Sequence, residues 1–386
     1  MALRGGFLST RTGVLRSKQL TRGSSRTVTS PWRLSSVYLS CSSNPLNVSM
    51  RSFSTTPSSP SSPFSTTSSS TTKTVPADPP VQGVDPNLMA QASARGGDPR
   101  AELAASVKYC VEYVKSHDPE GYIACVFLPK QHQSAAFVIR ALNAELAAVK
   151  EEAETVTARE LRFMWWKNEI DECLKLNPST HPVSLALSAV AHKYTLQPKW
   201  LKTLVDARAA DLDDRGLASM DHLEQLGEAT GSAVLYLTLQ AMGITDLTAD
   251  HAASHIGRAN ALVSSIRSVP AFAPQGLCLL PGDIVNKHEV DNVFGLNEPL
   301  QAAVYDMACM AHAHVHHARQ LNDDVPEEAR LALLPAVLLT RYLDTLEKYN
   351  FDPFAGPLRS AYLHNLGPSR LLLHFNLLKH KWNKTY

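Results

Sequence analysis

The stretch that decides the fold is TADHAASHIGRANALVSSIRSVP, residues 248–270. Its apolar side chains recur every three or four positions: Ala252, Ile256, Ala259, Leu262 or Val263, Ile266 and Val269. This is the period of an α-helix that buries one stripe in a helical core. Gly257 is expected to permit a close contact with a second helix, because it has no side chain to keep the two backbones apart. The sequence thus predicts a central, buried helix.

The rest of the chain from Asp98 onward carries the same helical pattern. No run in it shows sustained alternation of apolar and polar residues, which would indicate strands. Proline and glycine interrupt the pattern between helices, for example at Pro129, Pro182 and Pro270. No segment reaches the roughly 18 uninterrupted apolar residues that a membrane-spanning helix needs. We therefore predict one all-α domain over residues 99–386.

The amino terminus has a different composition. Residues 1–77 contain no Asp or Glu but carry Arg, Lys and many Ser and Thr residues. This composition is typical of a mitochondrial transit peptide, and Arg51-Ser52-Phe53 resembles a matrix-processing site. We predict a transit peptide at residues 1–53 and a disordered Ser/Thr/Pro-rich linker at residues 54–98. A generic disordered basic tail is the alternative.

The spacing of the cysteines and histidines bears on whether the chain has a metal site. The six cysteines include no Cys-x-x-Cys pair, which favours reduced, buried thiols over a zinc or disulfide framework. His251 and His255, like His312 and His316, are spaced to share a helical face, but neither pair forms the His-Glu-x-x-His arrangement of a zinc hydrolase. The prediction is no metal site and no cofactor. No basic stripe with interleaved aromatic residues suggests nucleic-acid binding.

Two segments resemble the signatures of the squalene/phytoene synthase family. One is Ala253-x-x-Ile256-Gly257-x-Ala259 with the apolar run that follows it, and the other is the helical stretch at 134–151. The resemblance extends over roughly residues 105–320 and implies an isoprenoid-synthase-like helical fold. It also implies seven active-site positions in this chain: Ala147, Ala148, Glu151, Ala261, Ser265, Ser268 and Phe272.

In family enzymes, Asp residues in these two signatures hold Mg²⁺ against a prenyl diphosphate. Here only Glu151 keeps a carboxylate at an Asp position, so the resemblance implies a degenerate site and no catalysis. If the cavity persists, we expect Ala147, Ala148, Ala261 and Phe272 to make it less polar than a synthase site. The alternative is an active prenyl diphosphate transferase whose rebuilt site uses Glu145, Glu151 and Asp211.

The segment at 249–257 and the terminal Trp382-Asn-Lys-Thr-Tyr386 also resemble mitochondrial members of the family that serve respiratory complex I assembly. This resemblance implies an early assembly role at the matrix side of the inner membrane, in the biogenesis of a membrane-embedded core subunit. The implied partners are complex I subunits or other assembly factors. Binding of an isoprenoid or lipid in the cavity stays open.

The carboxyl terminus is basic and apolar. Residues 353–386 contain no Asp or Glu, and their cations are Arg359, Arg370, Lys379, Lys381 and Lys384. Leu371, Leu372, Phe375, Leu378 and Trp382 recur beside them at helical spacing. The combination suits an anionic membrane surface or an acidic partner. A closing helix packed on the domain, with a solvated basic edge, explains it equally well.

Overall fold

A computed structural model describes residues 98–153, 155–212, 217–358 and 369–386. Every regular element in these ranges is a helix, so the prediction of an all-α domain is confirmed. The predicted transit peptide and all of the predicted linker except Asp98 lie outside the described residues. No helix of the described ranges is long and apolar enough to cross a membrane.

The helices follow one another along the chain. In order they are α1 (Pro99–His117), α2 (Pro119–Phe127), α3 (Lys130–Glu152), α4 (Val156–Leu174), α5 (Pro182–Lys193), α6 (Pro198–Ala210), α7 (Met220–Gly227), α8 (Ala233–Ala241), α9 (Leu247–Phe272), α10 (Gly282–Lys287), α11 (Glu298–Gln320), α12 (Glu327–Arg330), α13 (Pro335–Lys348) and α14 (Ser369–Asn383). A π-helical turn, Glu228–Ser232, joins α7 to α8.

Local sequence explains where these helices begin. Asp98, Thr155 and Asp246 precede α1, α4 and α9, and each side chain accepts a hydrogen bond from a backbone N–H of the first turn. Pro182 opens α5 as predicted. The prediction for Pro270 was wrong, because it lies inside the last turn of α9, which continues to Phe272. A proline there removes only one hydrogen bond near the helix end.

Helix α9 lies at the centre of the core, against α7, the π turn, α8, α11 and α13. The predicted stripe is buried along its whole length, with exposures of 0–1% for Ala252, Ile256, Ala259, Leu262, Val263, Ile266 and Val269. Burial of these side chains on neighbouring helices holds α9 in place and therefore positions everything its remaining face presents.

The prediction of a close contact at Gly257 is confirmed. A Cβ on Gly257 would overlap the backbone nitrogen and the Oγ of Ser232 in the π turn. From the other side, a Cβ on Gly231 would lie only 3.0 Å from the Cα of Gly257, and one on Gly227 only 2.9 Å from its carbonyl oxygen. The two backbones can therefore touch only because all three positions are glycine.

The last described segment packs on the domain. Leu373 and Leu377 of α14 are fully buried. The terminal Tyr386 is buried too, its hydroxyl donates to the carbonyl of Ala318 at 2.7 Å, and its carbonyl oxygen accepts from Arg319 at 3.0 Å. Helix α14 thus closes the domain with one of its sides, which confirms that the carboxyl-terminal helix packs on the domain.

The cysteine prediction holds only in part. Cys110, Cys125 and Cys173 are buried free thiols, whereas Cys278 and Cys309 are free but half-buried. Burial raises the pKa of Cys110 and of Cys125 to about 12, so neither is a thiolate at neutral pH. Cys41 lies outside the described residues.

Candidate functional site

The candidate site is a cavity of about 470 Å³ between α3, α6, the π turn and α9. Helices α4, α7 and α13 complete its walls. One part of the lining is apolar and comprises Leu146, Phe163, Leu223, Leu226, Val234, Leu235, Ile256, Leu277, Leu279 and Leu339. This volume is typical of a small-molecule pocket.

Six of the seven sequence-derived positions meet at this cavity. They are Ala147 and Glu151 on α3, and Ala261, Ser265, Ser268 and Phe272 on α9. The seventh, Ala148, does not line it and is buried in the helix packing. One residue along a helix turns the side chain by about 100°, which carries Ala148 away from the face of Ala147. The prediction that Ala148 lines the cavity was therefore wrong.

Of the three carboxylates named for a rebuilt site, two line the cavity and one does not. Glu145 is absent from its lining and is buried, where it accepts a hydrogen bond from Tyr109 at 3.2 Å and lies 3.8 Å from His181 Nε2. Burial raises the pKa of Glu145. Glu151 and Asp211 do line the cavity.

Two ion pairs lie in the lining of the cavity. Arg140 contacts Asp118 at 2.9 Å with both side chains buried, and Lys150 contacts Asp211 at the same distance. All four residues belong to the lining. That the cavity is less polar than a synthase site stays a prediction. These charged pairs were not predicted from the sequence. Spacing on α3 could have signalled this, since Arg140, Ala147 and Lys150 recur at helical intervals on one face.

Two further arginines lie in the lining. Arg159 donates to the backbone carbonyls of Ala153 at 3.0 Å and Leu212 at 3.1 Å. Arg208 donates to Asn143 at 2.9 Å, while its buried Nε has no protein acceptor. Burial lowers the pKa of Arg208 to about 10, which still leaves it charged at neutral pH. The polar part of the cavity therefore holds four cations against the three carboxylates of Asp118, Glu151 and Asp211.

Comparison with known families decides the kinship of this helical domain. A family model described as squalene/phytoene synthase matches residues 114–366. The chain belongs to the squalene/phytoene synthase family. The match spans both sequence signatures and every helix that borders the cavity.

Several relatives of the chain are named after the assembly of respiratory complex I and not after a synthase. A bovine and a human protein, each called NADH dehydrogenase (ubiquinone) complex I, assembly factor 6, are 35% identical to this chain. The alignments cover 72% of this chain, and 83% of the bovine and 82% of the human protein. A Drosophila melanogaster homologue of that factor is 31% identical, over 63% of this chain and 76% of the relative.

Solved structures of the family share the fold. A dehydrosqualene synthase in complex with ligand superposes with a TM-score of 0.61 at 16% identity, covering 74% of this chain and all of the synthase. A squalene synthase from Alicyclobacillus acidocaldarius gives 0.59 at 15% identity, covering 66% of this chain and 97% of the synthase. The all-α domain is thus isoprenoid-synthase-like, and identities this low speak only to fold.

The side chains of the cavity do not fit the Mg²⁺ centre of the family's synthases. Mg²⁺ bound to a diphosphate usually takes one or two protein carboxylates beside phosphate oxygens and water, and those carboxylates must be available to the metal. No group of three or more His, Cys, Asp or Glu side chains within the described ranges could hold a metal ion. Asp118 and Asp211 are each already in contact with a cation, which competes with metal for the same oxygens.

The histidines form a cluster of their own where α9 crosses α11, outside this cavity. His255 Nδ1 lies 2.9 Å from His314 Nδ1, and His314 Nε2 lies 3.2 Å from a carboxylate oxygen of Glu224. The rings of His251 and His317 approach His255 to 4.9 and 5.4 Å. Burial and then the neighbouring His314 lower the pKa of His255 to about 4, so it is neutral at physiological pH.

Proposed function

We propose that this chain is a non-catalytic assembly factor for mitochondrial complex I, with a degenerate synthase site. In this proposal it acts early, in the biogenesis of a membrane-embedded core subunit, and contacts complex I subunits or other assembly factors. It works peripherally at the matrix side of the inner membrane. The names of its bovine and human relatives support the assembly role.

The donor set of the cavity is the observation that carries the non-catalytic part. Ionisation of an allylic diphosphate requires metal ions that stabilise the leaving group. The lining offers Ala147, Ser268 and Phe272 where the resemblance calls for Asp, and its cations outnumber its carboxylates. A positive lining disfavours Mg²⁺ binding when no diphosphate is bound, whereas the clustered carboxylates of a synthase site attract the metal.

Loss and restoration of the chain test the assembly role. Cells that lack it should lose assembled complex I on native gels while the other respiratory complexes keep their abundance. An early role predicts that subassemblies containing the membrane-embedded core subunit disappear as well. Re-expression of the wild-type chain should restore both. Normal complex I in the deleted cells would refute the proposal.

A turnover assay separates the proposal from the alternative of an active prenyl diphosphate transferase. The purified chain, mixed with farnesyl or geranylgeranyl diphosphate and Mg²⁺, should release no diphosphate above background. Metal-dependent release that disappears in Glu151→Gln would establish the transferase instead, because Glu151 is the carboxylate retained at an Asp position of the family signatures.

The location rests on the acid-free amino terminus and has its own test. Deletion of residues 1–53 should leave the protein outside mitochondria. In mitochondria with ruptured outer membranes, the intact chain should resist added protease, as expected for the matrix side. Uncleaved full-length chain in the cytosol of healthy cells would contradict the targeting prediction.

A further inference from the structure

Helix α14 is apolar on two opposite sides, which a closing helix alone does not explain. Leu373 and Leu377 are fully buried against the domain. Facing away from it, Phe375 is 67% exposed, Leu378 52% and Trp382 88%. A closing helix ordinarily turns polar residues outward, so a Trp, a Phe and a Leu left in water indicate a surface that something covers.

These exposed side chains form one continuous stripe. At about 100° per residue, positions 375, 378, 379 and 382 fall within an arc of about 100°, opposite to 373 and 377. Lys379 is therefore part of the same stripe, and it is exposed. The stripe of Phe375, Leu378, Lys379 and Trp382 is called the outer stripe below.

Helix α14 is held on the domain surface with the outer stripe facing outward. Lys381 donates to the carbonyl of Phe127 at 2.9 Å, and Arg330 donates to the carbonyl of Lys384 at 2.9 Å. Tyr386 anchors the end of the chain in the core. The stripe is thus presented by a fixed helix.

Charge identifies what covers the stripe. The last 34 residues, 353–386, contain no carboxylate side chain. Their cations include Lys379 within the stripe and Lys381 and Lys384 at its end, the last paired with Glu327 at 2.8 Å. Apolar and aromatic side chains with interspersed lysines suit the boundary between the headgroups and acyl chains of an anionic bilayer. Trp in particular prefers this depth, because its ring is amphipathic.

We propose that the outer stripe of α14 docks the domain on an anionic lipid bilayer. Phe375, Leu378 and Trp382 enter the headgroup–acyl boundary, and the Lys379 ammonium extends to the lipid phosphates. This inference rests on the proposed peripheral location at the inner membrane and specifies the surface that makes the contact.

The test measures the contact of Trp382 with the bilayer in the full chain. Vesicles of phosphatidylcholine with an anionic lipid, carrying brominated acyl chains, are mixed with wild-type protein and with Trp382→Phe. The difference between the two emission spectra isolates Trp382 from the other tryptophans. We expect this difference signal to be quenched on anionic vesicles and unchanged with phosphatidylcholine alone. Absence of quenching on anionic vesicles overturns the proposal.

Variants then separate the stripe from the basic amino terminus, which is identical in all of them. Phe375→Ser with Leu378→Ser should weaken binding to anionic vesicles by about tenfold, and Lys379→Glu by at least about fivefold. The matched control is Leu161→Ser with Met164→Ser on α4, where exposures are 61% and 58% and the neighbouring charges are Glu160 and the Arg162–Glu152 pair. Equal binding of the stripe variants and the wild type overturns the proposal, as does equal weakening by the control.

Folding and function are read separately. Lys379→Glu changes an exposed residue only, so a wild-type melting temperature with weakened binding excludes misfolding as the cause. If vesicle binding is unaffected by the stripe variants but complex I still fails in cells that carry them, the stripe contacts a protein and the bilayer proposal falls. If complex I is normal without the chain, the proposed function falls, and vesicle binding is unaffected by that result.

Discussion

Two parts of helix α9 use small residues for opposite reasons. Around Gly257, the backbone of α9 touches the π turn, and any side chain at that position would overlap Ser232. Further along, Ala261, Ser265 and Ser268 face the cavity. In the first part, small residues are required by contact. In the second, small residues leave space.

The comparison teaches that the packing of α9 does not depend on the residues that line the cavity. The crossing at Gly227, Gly231 and Gly257 holds α9 in position without reference to any ligand. Metal ligands on the cavity side can therefore be lost without loosening the helix, because their removal also removes clustered negative charge from a partly enclosed space.

The largest effect on stability is expected where α9 packs against the π turn. Gly257→Val should lower the free energy of unfolding by about 4 kcal/mol or more, above the usual 1–3 for overpacking, because the clash is with backbone. Steady-state protein level and complex I should fall together. Gly295→Ala is the control, since no atom lies within 4 Å of a Cβ built there. If Gly257→Val melts like the wild type yet abolishes assembly, Gly257 belongs to a functional contact.

The next largest effect is expected at the ion pairs of the cavity lining, which should differ in their contribution to stability. Arg140→Met leaves the buried Asp118 without its cation and should cost about 3 kcal/mol by chemical denaturation. Lys150→Met is the matched control, because its pair with Asp211 has side-chain exposures of 27% and 28% and should contribute about 1 kcal/mol or less. Equal costs for both variants would show that burial does not decide the strength of these pairs.

A pH effect is expected at the histidine cluster, on the face of α9 toward α11. His255 has a folded pKa of about 4, below the value of about 6.5 in an unfolded chain. The unfolded state therefore binds more protons between these values, and stability is lost as the pH falls from about 6.5 toward 4. Glu224 and Arg258 also face the cluster. A carboxylate oxygen of Glu224 lies 3.2 Å from His314 Nε2, and Arg258 Nη1 lies 3.9 Å from the same carboxylate.

The variant His255→Asn should flatten this pH dependence, whereas His222→Asn, at an exposed position, should leave it unchanged. Thermal melting at several pH values between 7.5 and 5 measures the difference, expected to be about 2–4 °C at the acid end. Parallel curves for the wild type and His255→Asn would rule out His255 as the source.

The smallest effect is predicted at the cavity wall itself. Ala147→Asp should change the free energy of unfolding by about 0.5 kcal/mol or less, because the new carboxylate faces a cavity that contains cations. Complex I assembly and Mg²⁺ binding should not change. The neighbouring Ala148→Asp buries an unpaired charge in the helix packing and should cost several times more. Similar melting temperatures for the two variants would contradict their different surroundings.

The sequence by itself determined the class of the domain and the course of its helices. The buried stripe of α9, the helix start at Pro182 and the close contact at Gly257 all depend on local periodicity, capping or the absence of a side chain. Such features follow from residues close together in the chain, so one sequence suffices to predict them. The resemblance to family signatures located six of the cavity positions as well.

Only the tertiary structure decided what those positions face. Glu145 lies only two residues from Ala147, yet it bonds Tyr109 and does not line the cavity. Arg140 meets Asp118 from another helix, and His255 meets His314 at a separation of 59 residues. Which charge finds a partner depends on the packing of whole helices, because ion pairs and buried hydrogen bonds form between surfaces that periodicity alone does not align.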